Sequence, residues 1–171
     1  MTGLVELPPV TTTEIVPTTL PVDGVVDTWR TIMRLVLPVR AGDRLDISSQ
    51  FDVTNDVGKN RGDAGYTVGV GTHLWWYDVD LPAEERVWRR VHDSTGDNVD
   101  RGRHHMPIVL DDILDVPPDW PEGHRITIAL RADAHSTAWQ AGDVLTVEST
   151  GRLTVRRWTA APPPEPAPSA T

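Results

Sequence analysis

Two adjacent imidazoles, His104 and His105, are the first candidates for chemistry, because with Asp111, Asp112 and Asp115 a few residues on they could ligate a metal ion. Consecutive residues on a strand point to opposite faces, so both rings reach one ion only where the backbone bends. A cupin-like metal site needs His-x-His followed by Glu, and neither is present; the pair is read as hydrogen-bonded residues at a strand end. Asp93, Asp97, Asn98 and Asp100 form one oxygen-rich stretch, and Asn55, Asp56, Asn60 and Asp63 another. Calcium favours such donors, but neither stretch has the Asp-x-Asp-x-Asp-Gly spacing that wraps a chain around the ion, and Asx residues also build turns.

Nucleophilic and acid–base chemistry is harder to place. The serines Ser48, Ser49, Ser94, Ser136, Ser149 and Ser169 include no Gly-x-Ser-x-Gly elbow. The carboxylate pairs Glu84-Glu85 and Asp111-Asp112 are neighbours along the chain, which does not make them face each other across a substrate. No glycine-rich phosphate loop is present, and Arg61-Gly62-Asp63, the tripeptide integrins read at a loop tip, is taken as a solvated hairpin loop. The expectation is a protein with no catalytic residue, no bound metal and no cofactor.

Aromatic residues are a better lead. The chain holds seven Trp against one Phe and two Tyr. Trp75 and Trp76 must straddle a strand, so with Trp76 in the core Trp75 meets a loop, a subunit or a ligand. Tyr77 and Trp75 share a face with Gly69, Gly71 and His73, and two glycines beside two aromatics suit close approach by another backbone or subunit. Trp29, Trp88, Trp139 and Trp158 are read as packing residues.

The 171 residues suit one domain of ordinary size, and the absence of Cys removes disulfides, thiolate zinc sites and thiol nucleophiles together. Lys+Arg 16 against Asp+Glu 25 gives a net charge of −9, the wrong sign for a protein whose main task is gripping nucleic-acid phosphate. No stretch reaches the length of a membrane span and the N-terminus has no secretory pattern, so cytoplasmic synthesis without membrane insertion is expected. Fifteen Arg beside the lone Lys59 suggest GC-rich coding, fitting an actinobacterial or actinophage source.

The elements expected to carry these residues are nearly all strands. Leu45 to Thr54 alternates apolar and polar side chains, and Trp29 to Leu37, Tyr66 to Tyr77 and Arg125 to Asp133 do likewise. Shorter strands fit Arg86 to Val91, Val144 to Glu148 and Arg152 to Trp158, the last two joined by a tight Ser149-Thr150-Gly151 hairpin. Ala41-Gly42-Asp43 and Ala141-Gly142-Asp143 repeat one turn before a strand. Residues 93–97 and 117–123 read as loops, and 110–114 as a helical turn. Some eight short strands with Gly-rich turns predict an all-β antiparallel sandwich of jelly-roll type over residues 25–159.

Both ends differ from this body. Residues 1–24 are rich in Thr and Pro and read as an extended arm, since proline blocks helix and interior strand. The arm carries Leu4, Val5, Leu7, Val10, Ile15, Val16 and Leu20, apolar surface that gains from docking on a partner or on its own domain. Residues 160–171, Ala-Ala-Pro-Pro-Pro-Glu-Pro-Ala-Pro-Ser-Ala-Thr, favour polyproline II and read as a disordered tail.

The sequence from Leu37 onward resembles small jelly-roll virion proteins of tailed phages infecting actinobacteria, of the head-decoration, fibre or minor-tail kind. The resemblance lies in Leu37-Pro38-Val39-Arg40-Ala41-Gly42-Asp43-Arg44-Leu45, Phe51-Asp52-Val53-Thr54-Asn55-Asp56, Tyr66-Thr67-Val68-Gly69-Val70-Gly71, Asn98 before His104-His105-Met106, and Trp139-Gln140-Ala141-Gly142-Asp143 through Leu153-Thr154-Val155. Its final hairpin is also similar to trimeric sandwich domains of the tumour-necrosis-factor and C1q type. The resemblance implies a non-enzymatic virion component, assembled in a host cytoplasm with capsid or tail subunits and forming a homo-oligomer, a trimer favoured. The arm residues named above with Trp75 and Tyr77 are the expected contacts. The alternative is a carbohydrate-binding β-sandwich using Trp75 or another exposed Trp; a metal-dependent cupin-like enzyme at His104 or His105 is a third reading.

Overall fold

Alternation along the chain sets the architecture. Leu45, Ile47, Phe51 and Val53 are each 0% exposed and Ser49 is buried on the same side, while Asp46, Ser48, Gln50 and Asp52 between them turn toward solvent. That pattern puts one face of each strand in a core and leaves the other outside. The computed structural model describes residues 4–16, 19–24, 28–56 and 66–161; Arg61-Gly62-Asp63, Asn60 and the proline-rich residues 162–171 lie outside these ranges.

The strands are β1 (Leu4–Thr12), β2 (Thr19–Asp23), β3 (Arg30–Pro38), β4 (Arg44–Thr54), β5 (Thr67–Asp78), β6 (Arg89–Asp100), β7 (Met106–Asp115), β8 (Arg125–His135) and β9 (Val144–Ala160), with a 3-10 turn at Ala83–Glu85. One sheet runs β1-β9-β4-β7 and the other β3-β8-β5-β6. Strand β2 joins them, pairing antiparallel with β9 through Thr19–Pro21 and parallel with β8 through Val22 and Asp23. Two four-stranded antiparallel sheets in this order are a jelly roll, the expected class. The core between them is aliphatic, with Ile32, Met33, Leu74, Ile126, Ile128 and Leu145 among its fully buried side chains.

The repeated Gly-Asp turn has the same geometry twice. Arg40 N–H donates to Asp43 Oδ2 at 2.8 Å, and Gln140 N–H donates to Asp143 Oδ2 at 2.8 Å. Gly42 and Gly142 take φ of 75° and 93°, which a side chain disfavours. Both turns precede a strand, β4 and β9, and the buried carboxylates tie each turn shut.

Four local expectations are corrected. Residues 110–114 are strand and not helical turn, because Ile108, Leu110 and Leu114 share the inward face of β7. Residues 93–97 belong to β6, whose backbone pairs with β5 from Thr72↔Thr95 to Gly71↔Gly96 and onward. Ser149-Thr150-Gly151 is no hairpin: β9 runs unbroken, and the register with β4 shifts between Phe51↔Gly151 and Val53↔Val147. Three residues of β9 thus bulge opposite Asp52, whose carboxylate accepts from Thr150 Oγ1 at 2.7 Å.

The N-terminal segment is the fourth. Residues 4–12 and 19–23 are strands of the sandwich itself. Pro8 and Pro9 sit where the register with β9 shifts, between Leu7↔Arg157 and Val10↔Val155, so two residues without N–H donors oppose one. Proline is tolerated there because β1 is an edge strand.

Candidate assembly surfaces

Strands β1 and β3 end their respective sheets on the same side of the sandwich, and each has one hydrogen-bonding edge without a β-strand partner among the described residues. Val16 N–H crosses between them, donating to Ile32 O at 2.9 Å. Along this margin Leu4 (53% exposed), Val5 (44%), Val10 (40%), Val16 (54%) and Val36 (43%) keep their aliphatic side chains in solvent. Leu7 and Ile15 are half-buried, and Ile15 packs on the core with its Cδ1 against Gly151. Leu7, Val10 and Leu37 also line a shallow cavity of about 250 Å³. Leu20 departs from the expected contact set: at 0% exposure it lies in the core of its own chain.

The outer face of β3-β8-β5-β6 is already filled by this chain. A Cβ at Gly69 would strike the His135 ring, and one at Gly71 the Asp133 carboxylate. These glycines admit side chains from β8, which pairs Gly69↔His135 and Gly71↔Asp133. The Trp29 ring lies 4.4 Å from His73, centroid to centroid. Arg131 places its guanidinium 5.3 Å from the Trp75 ring and 5.2 Å from the Trp88 ring, and Arg90 lies 5.9 Å from Trp75. Trp75 is therefore covered by two cations and half-buried. Tyr77 is 8% exposed beneath Trp88, 4.5 Å away, so neither residue offers the open face expected of it.

Electrostatics in this layer follow burial. Asp133 is 1% exposed, and desolvation raises its pKa against the lowering pull of His135, whose Nδ1 is 3.5 Å from Oδ2. Desolvation likewise lowers the pKa of Arg131, whose Nη2 donates to Trp29 O at 3.1 Å.

The remaining candidates scatter. His104 Nε2 lies 3.7 Å from Asp56 Oδ1, while His105, in the left-handed region at φ 52°, donates its N–H to Thr54 Oγ1 at 3.2 Å. No group of three His, Cys, Asp or Glu able to hold a metal ion occurs among the described residues. Asn55 is buried and donates from Nδ2 to Val99 O at 2.7 Å, pinning β6 to the end of β4. Trp88 and Trp139, expected to pack, are 40% and 44% exposed. A cavity of about 280 Å³ that residue reading missed lies between Trp76, Val87, Pro117 and Trp120; the signal was Trp120 set among Pro117, Pro118 and Pro121. No helix of the described residues is long and apolar enough to cross a membrane.

These features define a jelly-roll sandwich with an apolar strand margin. No protein-family model matches the sequence, and no curated protein matches it. Among solved structures, a chain of the infectious bursal disease virus Gx strain shares 16% identity over 87% of this chain and 32% of its own length, with a TM-score of 0.53. A chain of the T13 particle of the same virus shares 15% identity over 86% of this chain and 31% of its own, at a TM-score of 0.48. A chain of its Gt strain shares 14% identity over 90% and 32%, at 0.46. The first likeness is one of fold, and the present chain spans about a third of the length of the solved chains it matches.

Proposed function

We propose that the chain is a non-enzymatic structural protein of a virion, of the capsid-decoration (cement) kind or another head or tail accessory of a tailed phage. The carrying observation is the β1/β3 margin, where Leu4, Val5, Val10, Val16 and Val36 stay exposed although the backbone of β1 is paired. Exposed aliphatic groups on two neighbouring edge strands gain free energy by meeting another subunit. The N-terminal strand thus takes the role given to a free arm: it docks on its own sheet and presents its outer side to neighbouring virion proteins or to further copies in a trimer. The jelly-roll likeness to a viral chain supports this reading. Exposed Trp88 and Trp139 favour a carbohydrate-binding module as the second reading, with Trp75 no longer its platform. Glycan binding lost in Trp88→Ala would promote it.

Co-expression with the genes flanking its own, followed by mass spectrometry of purified particles, tests the virion role. The chain should be a particle component, and Val10→Asp with Val16→Asp should remove it while leaving it folded. Absence from the particle, or full incorporation of the double variant, overturns the proposal.

A further inference from the structure

The outer layer of the β3-β8-β5-β6 sheet gathers arginines around aromatic rings. Arg34, Ala129, Trp75 and Arg90 stand in one row across the four strands, paired Arg34↔Ala129, Trp75↔Ala129 and Trp75↔Arg90. The row spans three strand spacings, about 14 Å. Arg131 follows two residues further along β8, and its guanidinium lies over the rings of both Trp75 and Trp88. Arg34 and Arg90 are exposed, and Arg90 Nη1 donates to His73 Nε2 at 3.2 Å. Trp88 packs on Tyr77 and remains 40% exposed, so part of its indole stays in solvent.

These cations lack carboxylates of their own. Among the described residues the arginine ion pairs are those of Arg44, Arg125, Arg156 and Arg157, and none takes Arg34, Arg90 or Arg131. Asp133, the next outward residue after Arg131, is 1% exposed, and Asp80 is held by Arg125. Asp100 sits at the far end of β5, where it accepts from Thr67 Oγ1. Arg131 is also half-buried, and a cation taken partly out of water without a counter-charge carries a cost that an incoming anion offsets. A chain of net charge −9 thus presents one cationic face with an exposed indole.

We propose that this face binds an acidic glycan in which uronic-acid residues alternate with neutral sugars. A neutral pyranose lays its C–H face on the exposed part of Trp88, and the guanidiniums take the carboxylates in paired N–H···O bonds. Arg34 and Arg90 stand on either side of Trp75, so two carboxylates spaced along one glycan meet separate arginines. Charge density decides against nucleic acid, the other polymer that combines rings with anions. It carries a phosphate at every nucleotide, and the field of a chain at −9 opposes so dense a polyanion. The inference deepens the carbohydrate reading above and rests on it, adding the charge of the ligand and the arginines that read it. It uses none of Val5, Val10 and Val16, so the assembly role stands or falls separately.

The test is calorimetric titration of the full-length chain with oligosaccharides of hyaluronan and of unsulfated chondroitin, in which glucuronate alternates with a neutral amino sugar, and with their methyl esters, which lack the charge. The chain should bind at least one of the two acids, and bind it about tenfold or more tightly than its ester, with the difference shrinking as salt rises. Arg34→Gln combined with Arg90→Gln should weaken binding about tenfold, and Trp88→Ala should abolish it, with folding checked by circular dichroism. The two arginines occupy exposed positions, so their double variant decides the matter should Trp88→Ala fail to fold. Binding of neither acid, equal binding of acid and ester, binding untouched by the arginine double variant, or tighter binding of single-stranded DNA each overturns the proposal. Equal binding of acid and ester would leave a neutral-carbohydrate site standing, whereas binding of no glycan would end the carbohydrate reading as well.

Discussion

The Asp133 carboxylate rests on the α-carbon of Gly71, the residue it opposes across β5 and β8, and leaves no room there for a Cβ. Trp29 closes the same space from above, its Cη2 3.4 Å from where that Cβ would sit. Glycine is required here for a close approach within the chain.

Gly71→Ala should therefore destabilise the sandwich by about 1–3 kcal/mol, the usual cost of forcing an extra group into a packed site. Urea unfolding followed by tryptophan fluorescence measures it. A midpoint unchanged from the parent would show that Asp133 and Trp29 give way freely.

Burial raises the pKa of Asp133, so the folded state holds its proton to higher pH than the unfolded chain, whose Asp titrates near 3.8. The native state binds more protons across that window, and stability from this group falls as pH rises from about 3.8 through the raised folded value. In Asp133→Asn that slope disappears. Thermal melts from pH 3 to 7 should show the variant gaining on the parent as pH rises, and parallel curves would contradict the assignment.

Asp80 shows the opposite sign. Its hydrogen bonds from the Arg125 side chain and backbone, at 2.6 Å to Nη2 and 2.7 Å to N, lower its pKa to about 2. Its contribution is present above the ordinary value of 3.8 and lost as pH falls toward about 2. The pair is solvent-accessible, so Asp80→Asn should change stability little at neutral pH and flatten only the acid limb of the melt series.

Asn55 predicts a larger loss. Its side-chain amide satisfies Val99 O at 2.7 Å in a fully buried setting, so Asn55→Leu should cost about 1–3 kcal/mol by orphaning that carbonyl. Calcium should have no effect on the melting of either form; a calcium-dependent rise in the parent lost in the variant would restore the metal reading of this loop.

Strands with strict alternation were legible: Leu45 to Thr54, Trp29 to Leu37 and Arg125 to Asp133 fall within a residue or two of β4, β3 and β8. The misread segments share one cause, that local signals were overridden by a neighbouring strand. Leu110 and Leu114 sit one helical repeat apart, yet pairing to β4 from Val53↔Met106 to Arg44↔Asp115 makes them strand residues. The polar run 93–97 looks like a loop until β5 supplies its ladder. Ser149-Thr150-Gly151 carries hairpin chemistry but is used as a bulge. The glycines around Trp75 signal close approach; which groups approach depends on β5–β8 register, and spacing along one strand does not contain that. The arm's apolar content is visible too, while the burial of Leu20 depends on how β2 bridges the two sheets.

The central claim is that the β1/β3 margin joins subunits. Analytical ultracentrifugation of the parent chain and of a Val5→Asp, Val10→Asp, Val16→Asp variant tests it most directly. The account predicts a parent species near three times the 18.9 kDa chain mass and a folded variant at the chain mass. A parent that sediments as a monomer at every concentration, or a variant that assembles as the parent does, would contradict it.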